Sequence, residues 1–383
     1  MSPQIPVLFD ATSLPPNWGG VARYIQGVLG GLGELGVSIH VVAKPRDLRR
    51  LREAAPGHDY HSAPASIAAR PARFAWEQVG LPRLARRLGV RVIHSPHYTL
   101  PLVAGGPASV VTLHDATFFT DPEVHSRLKR TFFTWWTKRA ARRAAALLTP
   151  SRATADAVRA SVRSPRGELF VAYLGVDTAV FGVPRPDAVT AFAREHGLDE
   201  SLGWIGFLGT IEPRKNVPAL LEAHAALRAS SSAPVPPLVL SGSRGWDEEA
   251  AQRLDALTPA DGVIEAGYLP LDELPAFLGG ARVVAYPSLG EGFGLPVLEA
   301  MACGAAVLTT RRLSIPEVGG DAVAYSEPDA DSLAGALDEL LADAPRRAEL
   351  GAAAARRAED FTWAACAQVH LDAYAAAGAV VLA

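Results

Sequence analysis

The chain has 383 residues, of which 49% are hydrophobic and 20% charged, with two cysteines and a formal net charge of −3. This composition excludes a disordered chain and a disulfide scaffold, and the length suits two α/β domains of ordinary size. The charge is divided: residues 1–180 hold 23 Lys and Arg against 12 Asp and Glu, whereas residues 181–383 hold 14 against 28. A basic first half points to an anionic partner, whether nucleic acid, a membrane surface or a phosphorylated substrate. The acidic second half argues against nucleic acid wrapping the whole chain.

In chain order, "IPVLFDA" reads as a buried strand, followed by the loop "TSLPPNWGG" and a helix from about Val21. Ile5 to Phe9 is too short for a signal peptide and runs into Asp10. Gly19 and Gly20 precede the helix, so its free N–H groups are one possible phosphate-facing end. "GVSIHVVA", "VRVIHSP", "ASVVTLHD" and "AALLTPS" are further short β-rich runs with helical patterns between them. That alternation predicts a doubly wound parallel sheet. His94 and His97 in "HSPH" have a metal-like spacing, but no third ligand accompanies them, so structural histidines are expected. His114 and Asp115 end the run "VTLHDAT"; a strand-end histidine fits acid–base work or a purely structural role.

The segment 126–148 reads as one helix that interleaves Phe132, Phe133, Trp135 and Trp136 with Arg and Lys. An interfacial membrane helix has this composition, and so does an ordinary helix with its aromatics turned to the core, which is the favoured reading. A Pro- and Gly-rich stretch near "AYLGVDTAVFGVPRPDA" then has hinge character.

The second half repeats the design with "LGWIGFLGT", "PLVLSGS", "GVIEAGY", "ARVVAYPS", "AAVLTT" and "AVAYSE". Two such sheets facing each other place ligands at their strands' C-terminal ends, in the cleft between domains. In "LGTIEPRKN", Thr210 offers a hydroxyl, while Arg214 and Lys215 stand where a diphosphate is held, Arg as a fork and Lys as a point charge. In "LGEGFGLPVLEAMACG", Gly290, Gly292 and Gly294 alternate with Glu291 and Phe293 ahead of a short helix with Pro296 in its first turn. The helix end favours phosphate, and Glu299 on an otherwise apolar helix can accept hydrogen bonds from the paired hydroxyls of a ribose. Glu291, in the loop, can accept from sugar hydroxyls. "DAD" at Asp329 to Asp331 mimics a metal triplet but precedes a helical run, so capping explains it better. Cys303 and Cys366 form no CxxC pair and are expected to be buried thiols in a reducing cytosol.

Together, "EGFGLPVLEAMACG", "GTIEPRKN", "GYLPLDELPAFLGGA", "SIPEVGGDA" and the opening "LFDATSL…GGVARY" resemble glycosyltransferase family 4, retaining enzymes of the GT-B fold, and within it a bacterial, mannosyltransferase-like group. The resemblance runs nearly the whole chain. It implies two Rossmann-like domains facing across a cleft: an acceptor-binding domain at 1–182, a nucleotide-sugar domain at 183–357, and a terminal helix at 358–383 that crosses back to the first. It implies that Glu299 binds the nucleotide ribose and Glu291 a hydroxyl of the donor sugar. Gly292, Phe293, Gly294 and Leu295 would reach sugar and phosphate through their amides, with Thr210, Gly242 and Leu269 also on the donor side. Arg214 and Lys215 would neutralise the leaving diphosphate, approached by Gly20 from the other domain. His114 would line the reaction centre, with Asp115 on the acceptor side.

The resemblance further implies a nucleotide-diphosphate sugar as donor, a glycan or lipid-linked acceptor in cell-surface polysaccharide synthesis, no metal or other cofactor, and no nucleic-acid partner. The location would be cytoplasmic, with the basic half in contact with an anionic membrane. Two stretches depart from the family pattern: Ala305-Ala306 replaces Thr-Pro, and Arg311-Arg312 stand where small residues are usual. Both border the donor side. An epimerase or phosphorylase of the same fold and a non-catalytic relative are the alternatives. The four lysines, Lys44, Lys129, Lys138 and Lys215, include no candidate for pyridoxal phosphate. The first turn also lacks the GxGxxG spacing of an NAD dehydrogenase.

Overall fold

The structure is a computed structural model that describes residues 4–15, 19–103, 105–120, 126–162 and 165–379. Pro16 to Trp18 of the first loop lie outside the described residues. The chain divides into two compact units, the first comprising residues 1–175 and 361–383, the second residues 176–360.

The first unit is built on seven strands: β1 (Gln4–Asp10), β2 (Ser38–Ala43), β3 (Asp59–Ser62), β4 (Val92–Ser95), β5 (Ala108–Thr112), β6 (Ala146–Thr149) and β7 (Glu168–Val171). They pair in parallel in the order β3-β2-β1-β4-β5-β6-β7. The inner strands β4 and β6 are buried on every residue, as helices on both faces require. The sequence reading omits β3 and β7, which lie at the two edges and carry exposed or half-buried residues throughout.

Two further expectations for this unit need correction. The helix expected over 126–148 runs only from Arg127 to Arg143; Ala144 is extended and leads into β6. Its aromatics are also not all in the core. Trp136 is buried and Phe133 half-buried, but Phe132 and Trp135 are exposed.

The helix Gly20–Glu34 carries the terminal helix Trp363–Ala376 against it. Gly27 and Gly31, one turn apart, form the seat. A Cβ on Gly27 would lie 2.1 Å from the Trp363 ring, and one on Gly31 would lie 2.2 Å from the Trp363 carbonyl oxygen. Only glycine lets the two helices approach so closely.

The second unit has six parallel strands: β8 (Ile205–Leu208), β9 (Leu238–Ser241), β10 (Val263–Gly267), β11 (Val283–Tyr286), β12 (Val307–Thr310) and β13 (Ala324–Ser326). Their order is β10-β9-β8-β11-β12-β13, so chain direction across the sheet reverses between β8 and β11. In open α/β sheets that reversal point, outside the carboxyl ends of the strands, is where ligands bind. Asp329 caps the helix Ala330–Ala342 by accepting from the Ser332 amide at 2.9 Å, and both cysteines are buried free thiols.

Candidate active site

At the reversal point of the second sheet, the segments after β8 and β11 form one buried polar cluster. The 3₁₀ turn Pro213–Lys215 follows β8, and Asn216, in the left-handed region, ends it. That turn brings Arg214 and Lys215 onto the loop after β11. Arg214 Nη1 donates to the Gly290 carbonyl at 2.8 Å and to Glu291 Oε2, and its Nη2 donates to Glu212 Oε1 at 2.6 Å. Lys215 Nζ donates to Glu291 Oε1 at 2.7 Å and to the Tyr286 hydroxyl. Tyr286 and Ser288 donate to the same Oε1 at 2.9 and 2.6 Å. Ser314 Oγ ties the loop from the far side, donating to the carbonyls of Glu291 and Phe293.

The electrostatics follow from burial opposed by charge. Burial pushes the Glu291 carboxyl up, but Arg214, Lys215 and the hydrogen bonds from Lys215 and Ser288 outweigh it and hold it at about 2. Lys215 is lowered, first by burial and then by neighbouring Arg214, although Glu291 opposes both. Burial, with Glu291 beside it, raises the Tyr286 hydroxyl well above its usual range. Glu291 is therefore an ionised carboxylate with two cations on it. The carboxylate expected on a sugar hydroxyl is already engaged by its own chain, and it orients the cations expected on the diphosphate.

The other residues expected on the donor side lie after strands of the same sheet. Leu269 follows β10 and is buried. Gly242 follows β9, its backbone so close to β8 that a Cβ would meet the Gly209 carbonyl oxygen at 2.1 Å. Thr210 follows β8. After Glu291, the loop passes through Gly292 and Phe293 to Gly294, whose φ of +103° caps the helix Leu295–Ala302 in a conformation that favours glycine. Glu299 is buried on that helix, 1% exposed, among apolar neighbours.

Gly20, His114 and Asp115 belong to the first unit. Gly20 opens its helix. Asp115 Oδ1 accepts from the Thr117 amide and hydroxyl at 3.3 and 3.0 Å, at the start of the short helix Thr117–Thr120. His114 donates through Nε2 to the Pro96 carbonyl at 2.6 Å, which leaves Nδ1 as the acceptor of the ring. Burial lowers its proton affinity, against the Pro96 bond and Asp115. His94 is fully buried and hydrogen-bonded by Tyr374 and Thr112. Among the described residues no group of three or more His, Cys, Asp or Glu could hold a metal ion.

Tyr286, Ser288 and Glu212 were not legible as site residues. Tyr286 closes the apolar strand β11 and reads as core; the exception is that a buried tyrosine hydroxyl needs a partner.

Comparison with known proteins identifies the family and the fold. Residues 189–357 match the family model of the group 1 glycosyl transferases, and residues 18–180 that of glycosyltransferase family 4. The O-antigen chain mannosyltransferase B of Escherichia coli is 31% identical over 288 residues, covering 74% of each chain. A D-inositol 3-phosphate glycosyltransferase of Stackebrandtia nassauensis is 33% identical over 310 residues, 76% of this chain and 64% of its own length. Among solved structures, HepE of Anabaena in complex with UDP and glucose superposes with a TM-score of 0.74 at 17% identity, covering 97% of this chain and 99% of that one. The fold is GT-B, two parallel sheets of seven and six strands with their helices. The chain belongs to the family 4 glycosyltransferases, and it is a glycosyltransferase.

Proposed function

We propose that this glycosyltransferase moves a hexose, mannose in the first instance, from a nucleotide-diphosphate sugar to a glycan or lipid-linked acceptor in cell-surface polysaccharide synthesis, with retention at the anomeric carbon. The observation that carries the reading is the Arg214–Lys215–Glu291 cluster at the reversal point of the second sheet. Breaking the anomeric bond builds negative charge on the β-phosphate. Two cations held in place beforehand by Glu291, with the helix end at Leu295, stabilise that charge at little reorganisation cost. Glu299 takes the ribose hydroxyls. His114 lines the sugar side from the first unit and Asp115 the acceptor side, with Gly20 near the diphosphate. Retention then follows from attack on the face the phosphate leaves, the phosphate itself taking the acceptor proton, so no carboxylate nucleophile is assigned. The mannose preference rests on the Escherichia coli relative.

A panel of nucleotide sugars screened by thermal shift, followed by product analysis with the best binder, tests the reading. GDP-mannose is expected to raise Tm most and to yield an α-linked product. An inverted product, or stabilisation by no nucleotide sugar, overturns it. The metal-free mechanism predicts turnover unchanged in EDTA; loss of activity restored by Mg²⁺ or Mn²⁺ would count against it.

The working place is the cytoplasmic face of a membrane. No described helix is long and apolar enough to cross one. The helix Arg127–Arg143, however, turns Leu128, Phe132 and Trp135 outward on one face, beside exposed Arg127, Lys129, Arg130, Arg142 and Arg143. Such a face suits shallow binding to anionic lipid, at about 1 kcal/mol per basic residue near the surface. Flotation with anionic liposomes is expected at low salt and lost on reversing Arg127, Arg130 and Arg142. Protein that stays at the bottom of the gradient makes a soluble acceptor the better assignment.

A further inference from the structure

Five polar side chains lie fully buried where the terminal helix Trp363–Ala376 meets the first sheet: Tyr24, His94, Thr112, His370 and Tyr374. Their hydrogen bonds form one chain. Tyr374 OH meets His94 Nδ1 at 2.7 Å, and His94 Nε2 meets Thr112 Oγ1 at 2.8 Å. Thr112 Oγ1 meets Tyr24 OH at 2.7 Å, Tyr24 OH meets His370 Nε2 at 2.8 Å, and His370 Nδ1 meets the Cys366 carbonyl at 2.8 Å.

The direction of every bond is fixed. The Cys366 carbonyl can only accept, so His370 carries its proton on Nδ1 and, being neutral, accepts at Nε2. Tyr24 therefore gives its one proton to His370 and accepts from Thr112. Thr112 in turn accepts from His94 Nε2–H, and His94 Nδ1 accepts from Tyr374. Burial keeps both imidazoles neutral, His370 at about 4 and His94 well below its usual value, as this one-way order requires.

The chain bears on His114 twice. Thr112 ends β5 two residues before His114, so the strand end that carries the central hydroxyl of the chain also leads into His114. The Tyr24 ring meets the His114 ring edge-on, with centroids 4.8 Å apart. Tyr24 also lies on the helix that Gly20 opens, four residues on and so on the same side.

We propose that Thr112 and Tyr24 are positioning residues for the His114 imidazole: the one-way chain, anchored on the terminal helix, fixes the tyrosine ring against which the imidazole is held, while Pro96 fixes its tautomer. The proposal rests on the reading of His114 as a reaction-centre residue, and the test separates the two. Thr112→Val removes the central hydroxyl at nearly constant shape, and Thr112→Ser keeps it. With histidine ring nitrogens labelled with ¹⁵N, Thr112→Val is expected to move the His114 signals, lower kcat about tenfold and leave the donor KM within about twofold. Thr112→Ser should restore both quantities to near the parent. If Thr112→Val does not fold, Tyr24→Phe, which keeps the ring and removes only the hydroxyl, is expected to give the same signature. Parent-like kcat and unmoved His114 signals in a folded variant lacking either hydroxyl overturn the proposal, as does a loss confined to Tm. If instead His114→Ala retains full turnover, the reaction-centre reading fails, while the ring-nitrogen signals still decide whether the chain positions the imidazole.

Discussion

The two units solve the burial of polar groups in opposite ways. In the second, a carboxylate with two cations on it is buried at the reversal point of the sheet, where open α/β sheets bind ligands, and charge cancels charge. In the first, five neutral groups hand one another protons in a fixed order. The first arrangement keeps ionised groups ready for a charge that develops elsewhere; the second holds shape without charge. A buried ion pair gains little net stability over apolar packing, yet breaking it leaves an uncompensated charge. A neutral network tolerates no change of protonation at all.

The largest expected effect comes from breaking the charged cluster. Arg214→Ala and Lys215→Ala should each lower kcat about 10²-fold or more, because the charge they meet is greatest in the transition state. Each variant needs its Tm measured alongside, since Glu291 loses a partner. Turnover at the parent rate in a folded variant would remove the diphosphate from their role.

A smaller effect separates the two glutamates. Glu299→Gln should weaken binding of the free nucleoside diphosphate about tenfold, as expected for hydrogen bonds lost from a charged acceptor. Glu291→Gln should not weaken it, since it releases two cations from their carboxylate, but it should impair transfer. Calorimetric titration of both variants decides this. Equal losses of affinity would show that the assigned roles are wrong.

The smallest effect sharpens the comparison through pH. Glu291 is held at about 2, below its ordinary value, so its contribution to stability is complete above about pH 4.5 and is lost only as pH falls toward 2. Histidines buried in neutral form work in a different window. His370, at about 4, takes up a proton more readily when unfolded, so its contribution is complete above about pH 6.5 and fades as pH falls toward 4, on the order of 3 kcal/mol. Among the described residues, burial lowers seven histidines of the first unit in this way, and His224 of the second. Hydrogen exchange followed from pH 7.5 to 4.5 should therefore show the first unit opening before the second. The reverse order would contradict the assignment of neutral histidines.

How much of this was legible in sequence differs between the units as well. All six strands of the second have a short β-rich run in sequence, even the edge strands β10 and β13, which are mostly half-buried. In the first, "DYHS" pairs at a sheet edge and carries no apolar run, while "ELFV" opens the apolar run Leu169 to Leu174 but leads straight into the Pro- and Gly-rich stretch, which hides it. Arg214 and Lys215 stand out in sequence as adjacent cations after one strand, and Glu291 and Glu299 as carboxylates in and after a glycine loop; that both cations meet Glu291, 76 and 77 residues away, was not legible. Tyr24, His94 and His370 were not legible either, since their partners lie up to 346 residues away and nothing local names them. Sequence reading also draws the basic helix too long, overlapping the run "AALLTPS", because Ala144 and Ala145 suit a helix as well as the extended link they form.

The seat of Trp363 on Gly27 and Gly31 has a consequence for the order of synthesis. The second unit is one continuous stretch, residues 176–360, whereas the first needs residues from 361 onward to cover its helix and satisfy Tyr24 and His94. On the ribosome, domains generally fold as units in the order they emerge. Here the unit that emerges first is the last to be completed. Until Trp363, His370 and Tyr374 emerge, its glycine seat stays uncovered, the Tyr24 hydroxyl lacks His370 and the His94 imidazole lacks Tyr374. The second unit, begun later, has all its strands by residue 326.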